Sequence, residues 1–275
     1  MLQRLGSEHG QEIEDYLRTH AQENILVLSD LMHPNNVDRR WDDPLSCIGY
    51  RTEEGVIAVQ AFYRYGRWFP HYVDENALAP MIEDMMSRRV RWLLGVRRVV
   101  DPIIERLKSG AFVLDYDEKD YLYYTDAGML RPHPLHGVRR ATRQDVEAIA
   151  QMRFAFECEY FDTPPARINR SWCTYIAERY VERGAFVAER LGRIVSMAAV
   201  EATIPQLSQI GAVYTRREYR NMGLARGVVS GLCEEELCHK ERVTLTVGVD
   251  NEPALKAYAD LGFRHLDDYR MGRFG

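Results

Sequence analysis

The stretch Val213-Tyr214-Thr215-Arg216-Arg217-Glu218-Tyr219-Arg220-Asn221-Met222-Gly223-Leu224-Ala225-Arg226-Gly227 decides how the C-terminal half of this chain folds. A buried strand ends, the chain turns, and a helix begins. Gly223 permits an unusual φ and lets a ligand approach the main chain closely. Ala225 keeps the first helical turn uncrowded. The free N–H groups of that turn belong to Met222, Gly223, Leu224, Ala225 and Arg226. Together with the helix dipole they form an anion site suited to a pyrophosphate. Arg220 and Arg226 flank Asn221 and the turn and add positive charge. The plainer reading is that Gly223 and Ala225 only let a helix pack on a sheet, and that the arginines are a solvated face.

Working outward, the segments alternate between strand and helix patterns. Upstream, 185–189 and 193–203 read as a hairpin around Leu191-Gly192, and 208–215 as the strand that enters the turn. Downstream, the helix runs from 224 to about 239, the strand 243–249 follows, Pro253 opens a helix to Leu261, and 263–273 is a closing strand. Before the hairpin, 137–140 is a short strand. Thr142 then caps a helix, with Asp145 in the capping-box position. A second helix spans about 168–183 and stops at Gly184. This order of strands alternating with helices implies an α/β or α+β layered architecture.

Arg220-x-x-Gly223-x-Ala225, after a strand and opening a helix, resembles motif A of the GNAT superfamily of N-acetyltransferases. Asn251-Glu252-Pro253-Ala254, then Tyr258, then Gly262-Phe263, is similar to the family's motif B in order and spacing. The resemblance covers about residues 137–274 and implies an α+β layered fold with a mixed, mostly antiparallel central sheet flanked by helices. It implies that the backbone of Ala212, Val213 and Tyr214 pairs with the pantetheine arm of acetyl-CoA. The amides of 222–226 would hold the pyrophosphate, and Asn251 would contact the pantetheine region. Tyr258 would protonate the leaving thiolate, a reasonable role for a hydroxyl with a normal pKa of about 10. An amide near Val213 would polarise the thioester carbonyl. Glu201 is the preferred general base, with Glu157, Glu159 or a water chain as alternatives. The loop Tyr160-Phe161-Asp162-Thr163-Pro164-Pro165 would border the acceptor site. The plain readings stand beside these roles: Tyr258 as a core tyrosine, Glu201 as a salt-bridged strand residue, Asn251 as a helix cap, and the loop as a proline-rich connector.

Arg131-Pro132-His133-Pro134-Leu135-His136-Gly137 breaks both helix and strand and marks a boundary between domains at 1–130 and 137–275. In the first domain, 11–31 reads as one helix and Asp42-Asp43-Pro44 as a turn. The segments 46–51 and 55–65 read as strands, and 67–73 extends the sheet. Helix 76–88, strand 90–96, helix 99–109 stopped by Gly110, and strand 121–125 complete it. That order also resembles a GNAT domain. The motif A pattern is missing between Val73 and Ile82, and no motif B follows Val96. The expectation is a degenerate repeat that has lost cofactor binding, so that the chain is a tandem GNAT protein.

The charge balance, 36 basic against 41 acidic side chains, argues against a broad nucleic-acid surface but leaves room for a local basic pocket for a phosphorylated ligand. No apolar run reaches membrane-spanning length, and no signal peptide is expected. The five cysteines contain no CxxC pair, so neither a disulfide framework nor a metal site is indicated, and a cytoplasmic setting fits. The functional expectation is an acetyl-CoA-dependent N-acetyltransferase acting on a small-molecule or peptide amine by direct attack. The alternative is a non-catalytic acyl-CoA-binding or sensing protein. A homodimer is an assembly left open.

Overall fold

In the computed structural model, residues 2–33, 46–108 and 112–275 are described. The expected turn at Asp42-Asp43-Pro44 and the helix stop at Gly110 lie outside the described residues. The chain forms two compact units. One comprises Met1–Leu122, Thr246–Asp250 and His265–Gly275; the other comprises Tyr123–Leu245 and Asn251–Arg264.

The first unit contains β1 (Gln3–Leu5), α1 (Gly10–Thr19), α2 (Ala21–Met32), β2 (Ser46–Thr52), β3 (Gly55–Phe62) and β4 (Arg67–Tyr72). It continues with α3 (Leu78–Met86), β5 (Trp92–Val96), α4 (Arg97–Lys108) and most of β6 (Leu114–Thr125). The helices bury one apolar face each. On α4 that face is Val99, Val100, Ile103, Ile104 and Leu107, at helical spacing. At roughly 1.5–3 kcal/mol per fully buried aliphatic side chain, this stripe outweighs the cost of Pro102 in the helix's second turn. The expected single helix over 11–31 is instead two, broken at His20 (φ −116°, ψ 39°). Asn24 is also non-helical, and its side-chain amide donates to the His20 carbonyl at 3.0 Å, competing with the backbone ladder.

The second unit contains β7 (Val138–Arg140), α5 (Val146–Tyr160), α6 (Arg170–Arg183), β8 (Phe186–Arg190), β9 (Arg193–Ile204) and β10 (Leu207–Thr215). It ends with α7 (Leu224–Glu236), the start of β11 (Arg242–Gly248) and α8 (Glu252–Asp260). Its strand order is β11-β10-β9-β8-β7, antiparallel except between β10 and β11. The Thr142 capping box forms, and Gly184 ends α6 in the left-handed conformation at φ 102°.

Strand β12 (Arg264–Phe274) lies almost wholly in the first unit. It runs antiparallel to β5, with Tyr269 opposite Val96 and Arg273 opposite Trp92. The order in that unit is β1-β2-β3-β4-β5-β12-β6. Arg270 fastens the strand there through 2.7 Å bonds to Asp117 and Asp101. The expectation that 263–273 closes the sheet of its own domain therefore meets a different arrangement. An alternating strand pattern specifies which face is buried but not which neighbour supplies the hydrogen bonds.

Candidate functional site in the second unit

Strand β10 is regular against β9 until Gln209, then shifts register twice, between Gln209 and Ile210 and between Gly211 and Tyr214. Ala212 sits inside the second irregularity with φ 48°, a left-handed conformation that a non-glycine residue adopts only under constraint. On its other edge β10 pairs with β11 only through Leu207, Ser208 and Gln209, opposite Arg242, Val243 and Thr244. From Ile210 to Thr215 that edge has no strand partner among the described residues. A bulged, unpaired edge offers N–H and C=O groups to an extended amide-bearing ligand, as an added strand would.

Beyond β10 the chain turns through Arg217–Tyr219 and an extended Arg220, and enters the left-handed region at Asn221 (φ 63°) and Gly223 (φ 73°). Gly223 is the N-cap of α7. A Cβ there would stand 3.5 Å from its nearest neighbour, His133 Nε2, so glycine is required by φ and not by crowding. With no side chain, Gly223 makes no cap hydrogen bond, whereas Asn169 and Asn251 cap α6 and α8 with theirs. The first-turn amides of α7 are thus left without a side-chain acceptor, which fits them for an anion.

Residues 189–271 match the family model for FR47-like proteins. Over nearly the whole chain the structure resembles an acetyltransferase of the GNAT family from Colwellia psychrerythraea, at TM-score 0.61 and 13% identity, covering 100% of each chain. It also resembles a tandem GNAT protein from the clavulanic acid biosynthesis pathway, at TM-score 0.61 and 14% identity, covering 99% of this chain and 98% of that one. A third likeness is to a GCN5-related N-acetyltransferase from Sphaerobacter thermophilus, at TM-score 0.64 and 14% identity, covering 99% and 95%. The fold is a tandem GNAT fold. The sequence matches no curated protein.

Within this GNAT fold the sequence-derived site residues fall into separate groups. Arg220 is held by Glu159 at 2.5 Å and by the Thr215 carbonyl at 3.1 Å, and Arg217 reaches the same carboxylate at 3.2 Å. Burial opposes the charge on Glu159, but the two arginines prevail and hold it below the usual carboxylate range. Glu159 thereby ties the end of α5 to the loop that follows β10. Arg226 bonds Asp260 at 3.0 Å and His133 Nε2 at 3.2 Å. Its guanidinium is thus fixed beside the α7 turn. Met222 is exposed, and Leu224 is buried beneath the helix.

Glu201, on β9, lies directly over Gly211. A methyl placed on that glycine would meet Glu201 Oε2 at 2.5 Å. The carboxylate therefore stands next to the β10 bulge, where sequence order alone could not place it. Beside it is a buried group that sequence reasoning missed. Arg153 on α5 bonds Glu157 and donates to the Tyr180 hydroxyl at 3.1 Å, and its Nε has no hydrogen-bond partner among the described residues. Both Arg153 and Tyr180 feel the Glu201 charge. The one legible signal for Arg153 was its place on the α5 face that carries Ile149 and Met152, where a charged residue breaks the pattern.

Asn251 accepts from the Ala254 amide at 3.2 Å, so the helix-cap reading holds. Tyr258 is buried on α8 against Phe263, with ring centroids 5.7 Å apart. Burial, with a smaller contribution from Cys233, pushes its hydroxyl above the ordinary tyrosine range.

The first unit repeats the element order but not the site. Strands β4 and β5 again pair over a short stretch, Arg67 with Trp92 and Trp68 with Leu93. At the helix that follows β4, however, Asp74 is the cap and its carboxylate accepts from the Asn76 amide at 2.9 Å. An acidic side chain takes the place that an anion would need and repels one electrostatically.

Proposed function

We propose that the second unit binds acetyl-CoA, or a closely related acyl-CoA, and transfers its acyl group to an amine by direct attack. The observation that carries this reading is the bulged β10 edge running into the glycine-capped, side-chain-free start of α7. In this reading Ala212, Val213 and Tyr214 pair with the pantetheine arm. The amides of Met222, Gly223, Leu224, Ala225 and Arg226 take the pyrophosphate, and Asn221 shapes the turn. Arg220 and Arg226 supply positive charge at its rim, and Asn251 borders the pantetheine.

The left-handed bulge at Ala212 supports the reading that an amide near Val213 polarises the thioester carbonyl, whose oxygen gains negative charge as the amine attacks. Glu201 beside Gly211 takes the proton that the ammonium must lose, directly or through a water chain. Tyr258, kept protonated by burial, donates to the departing thiolate. The free cysteines fit a reducing compartment such as the cytoplasm, and no helix among the described residues is long and apolar enough to cross a membrane.

The test is calorimetric titration with acetyl-CoA, followed by thiol release with a panel of amines. Binding together with thiol release by at least one amine supports the transferase. Binding without release by any amine supports a non-catalytic acyl-CoA sensor. No heat with acetyl-CoA removes both readings.

A further inference from the structure

His20, Glu23 and His71 converge in the first unit, far in sequence from the acyl-carrier motifs. One ligand-capable atom from each lies within 4.8 Å of the others. His20 occupies the break between α1 and α2, and Glu23 follows three residues later, so both point to the same side of that junction. His71, on β4, is 1% exposed. Its Nε2 lies 2.8 Å from Glu23 Oε2, and the two imidazole rings are 4.6 Å apart. No metal motif is legible in the sequence because the ligands come from a helix junction and a strand.

A second contact orients the cluster. The Tyr16 hydroxyl lies 2.8 Å from His71 Nδ1 and 3.2 Å from the Ile57 carbonyl. With the hydroxyl donating to Ile57, Nδ1–H donates to Tyr16; Nε2–H donates to Glu23 while no metal is bound, and losing that proton would free the Nε2 lone pair to ligate. An outer partner that fixes the tautomer of a buried histidine is the usual support for a metal-ligating imidazole.

The geometry points to a binding site for one zinc-like divalent transition-metal ion held by His20, Glu23 and His71. Two imidazoles and one carboxylate suit Zn²⁺ and its neighbours and not Ca²⁺ or Mg²⁺, which require a shell of oxygens. Ligands about 2 Å from a tetrahedral ion stand roughly 3.3 Å apart, so the cluster needs only modest contraction. Three protein ligands leave a coordination position for water or a ligand donor. Arg98 is the competing cation: its guanidinium bonds Glu23 and lies 3.5 Å from His71 Nε2. It is 46% exposed and already within 3.9 Å of Asp267, an alternative carboxylate that can receive it when a metal takes Glu23.

The full-length chain, stripped with chelator and dialysed, is titrated with ZnCl₂ by calorimetry and with Co²⁺ by visible absorption. One equivalent is expected, with Co²⁺ bands of a low-coordinate nitrogen–oxygen site. His20→Ala and Glu23→Gln, which alter partly exposed groups, should weaken binding at least 10-fold at unchanged circular dichroism. Arg98→Ala should tighten it several-fold by removing the competitor. Absence of zinc binding in the unaltered chain overturns the proposal. So does binding that His20→Ala and Glu23→Gln leave unchanged, because the ion would then sit on other histidines.

Discussion

Gly223 and Ala212 are the residues on which the proposed acyl-CoA site turns, because both hold left-handed backbone that ordinary side chains resist. Gly223→Val should strain the turn by about 1–2 kcal/mol and add a branched side chain where the anion approaches. The expected outcome is at least a 10-fold loss of acetyl-CoA affinity by calorimetry; unchanged affinity would separate the turn from the ligand. Tyr258→Phe should lower turnover by roughly 100-fold while leaving acetyl-CoA affinity within 2-fold, consistent with loss of a general acid. An equal fall in affinity would mark Tyr258 as a packing residue only. In the first unit, Asp120 is buried with Oδ1 unpartnered, and burial, with Glu118 second, raises its pKa to about 7. Unfolded, it titrates near 3.9. The folded chain thus binds the extra proton, and stability contributed by Asp120 is lost as pH rises from about 4 through 7. Asp120→Asn should therefore stabilise the chain more at pH 8 than at pH 5 in thermal melts; an equal shift at both pH values would contradict the assignment.

Elements carry the next level of control. The start of the helical segment before α5 is set by Thr142 and Asp145, whose carboxylate takes the Thr142 amide at 2.8 Å and a two-point contact from Arg139 at 2.7 and 2.9 Å. Arg139 first, then the Thr142 bonds against the cost of burial, lowers the Asp145 pKa to about 2. A depressed carboxylate stabilises above its unfolded pKa and loses that contribution as pH falls through its folded value. Asp145→Asn should cost about 1 kcal/mol near neutral pH, measured by urea unfolding, with the difference from the unaltered chain closing between pH 4 and 2. A pH-independent difference would count against the Arg139 pair. The capping box was visible in Thr142 and Asp145 because it is a local pattern, whereas the break at His20 was not, because the apolar positions of α1 and α2 continue in near-helical phase across it.

At the scale of the molecule, the C-terminal strand belongs to the contacts of the N-terminal unit. Arg270 is 8% exposed and is paired with Asp117 and Asp101, and stripping one side of such a buried pair leaves uncompensated charge. Deleting residues 265–275 should therefore loosen the first unit, 140 residues or more away in sequence for every partner of Arg270. Hydrogen exchange should show lost protection in β5 and α4 after the deletion. Protection lost only in β9, β10 and α7 would refute this coupling.

What the sequence determined by itself was local. Glycine and proline positions set the turns, spacing of apolar side chains set the helices and strands, and Arg220-x-x-Gly223-x-Ala225 with Asn251 and Tyr258 marked the resemblance to the GNAT fold. The missing glycine before α3 was equally readable. The tertiary structure alone decided the rest: that Glu201 lies over Gly211 beside the β10 bulge, that Arg153 is buried next to it, that His71 meets His20 and Glu23, and that β12 pairs with β5. Each of these depends on which strands and helices become neighbours. Backbone pairing is chemically the same for every sequence, so neighbour choice is settled by packing and ion pairs across long chain separations, and those leave no periodic trace in the residues themselves.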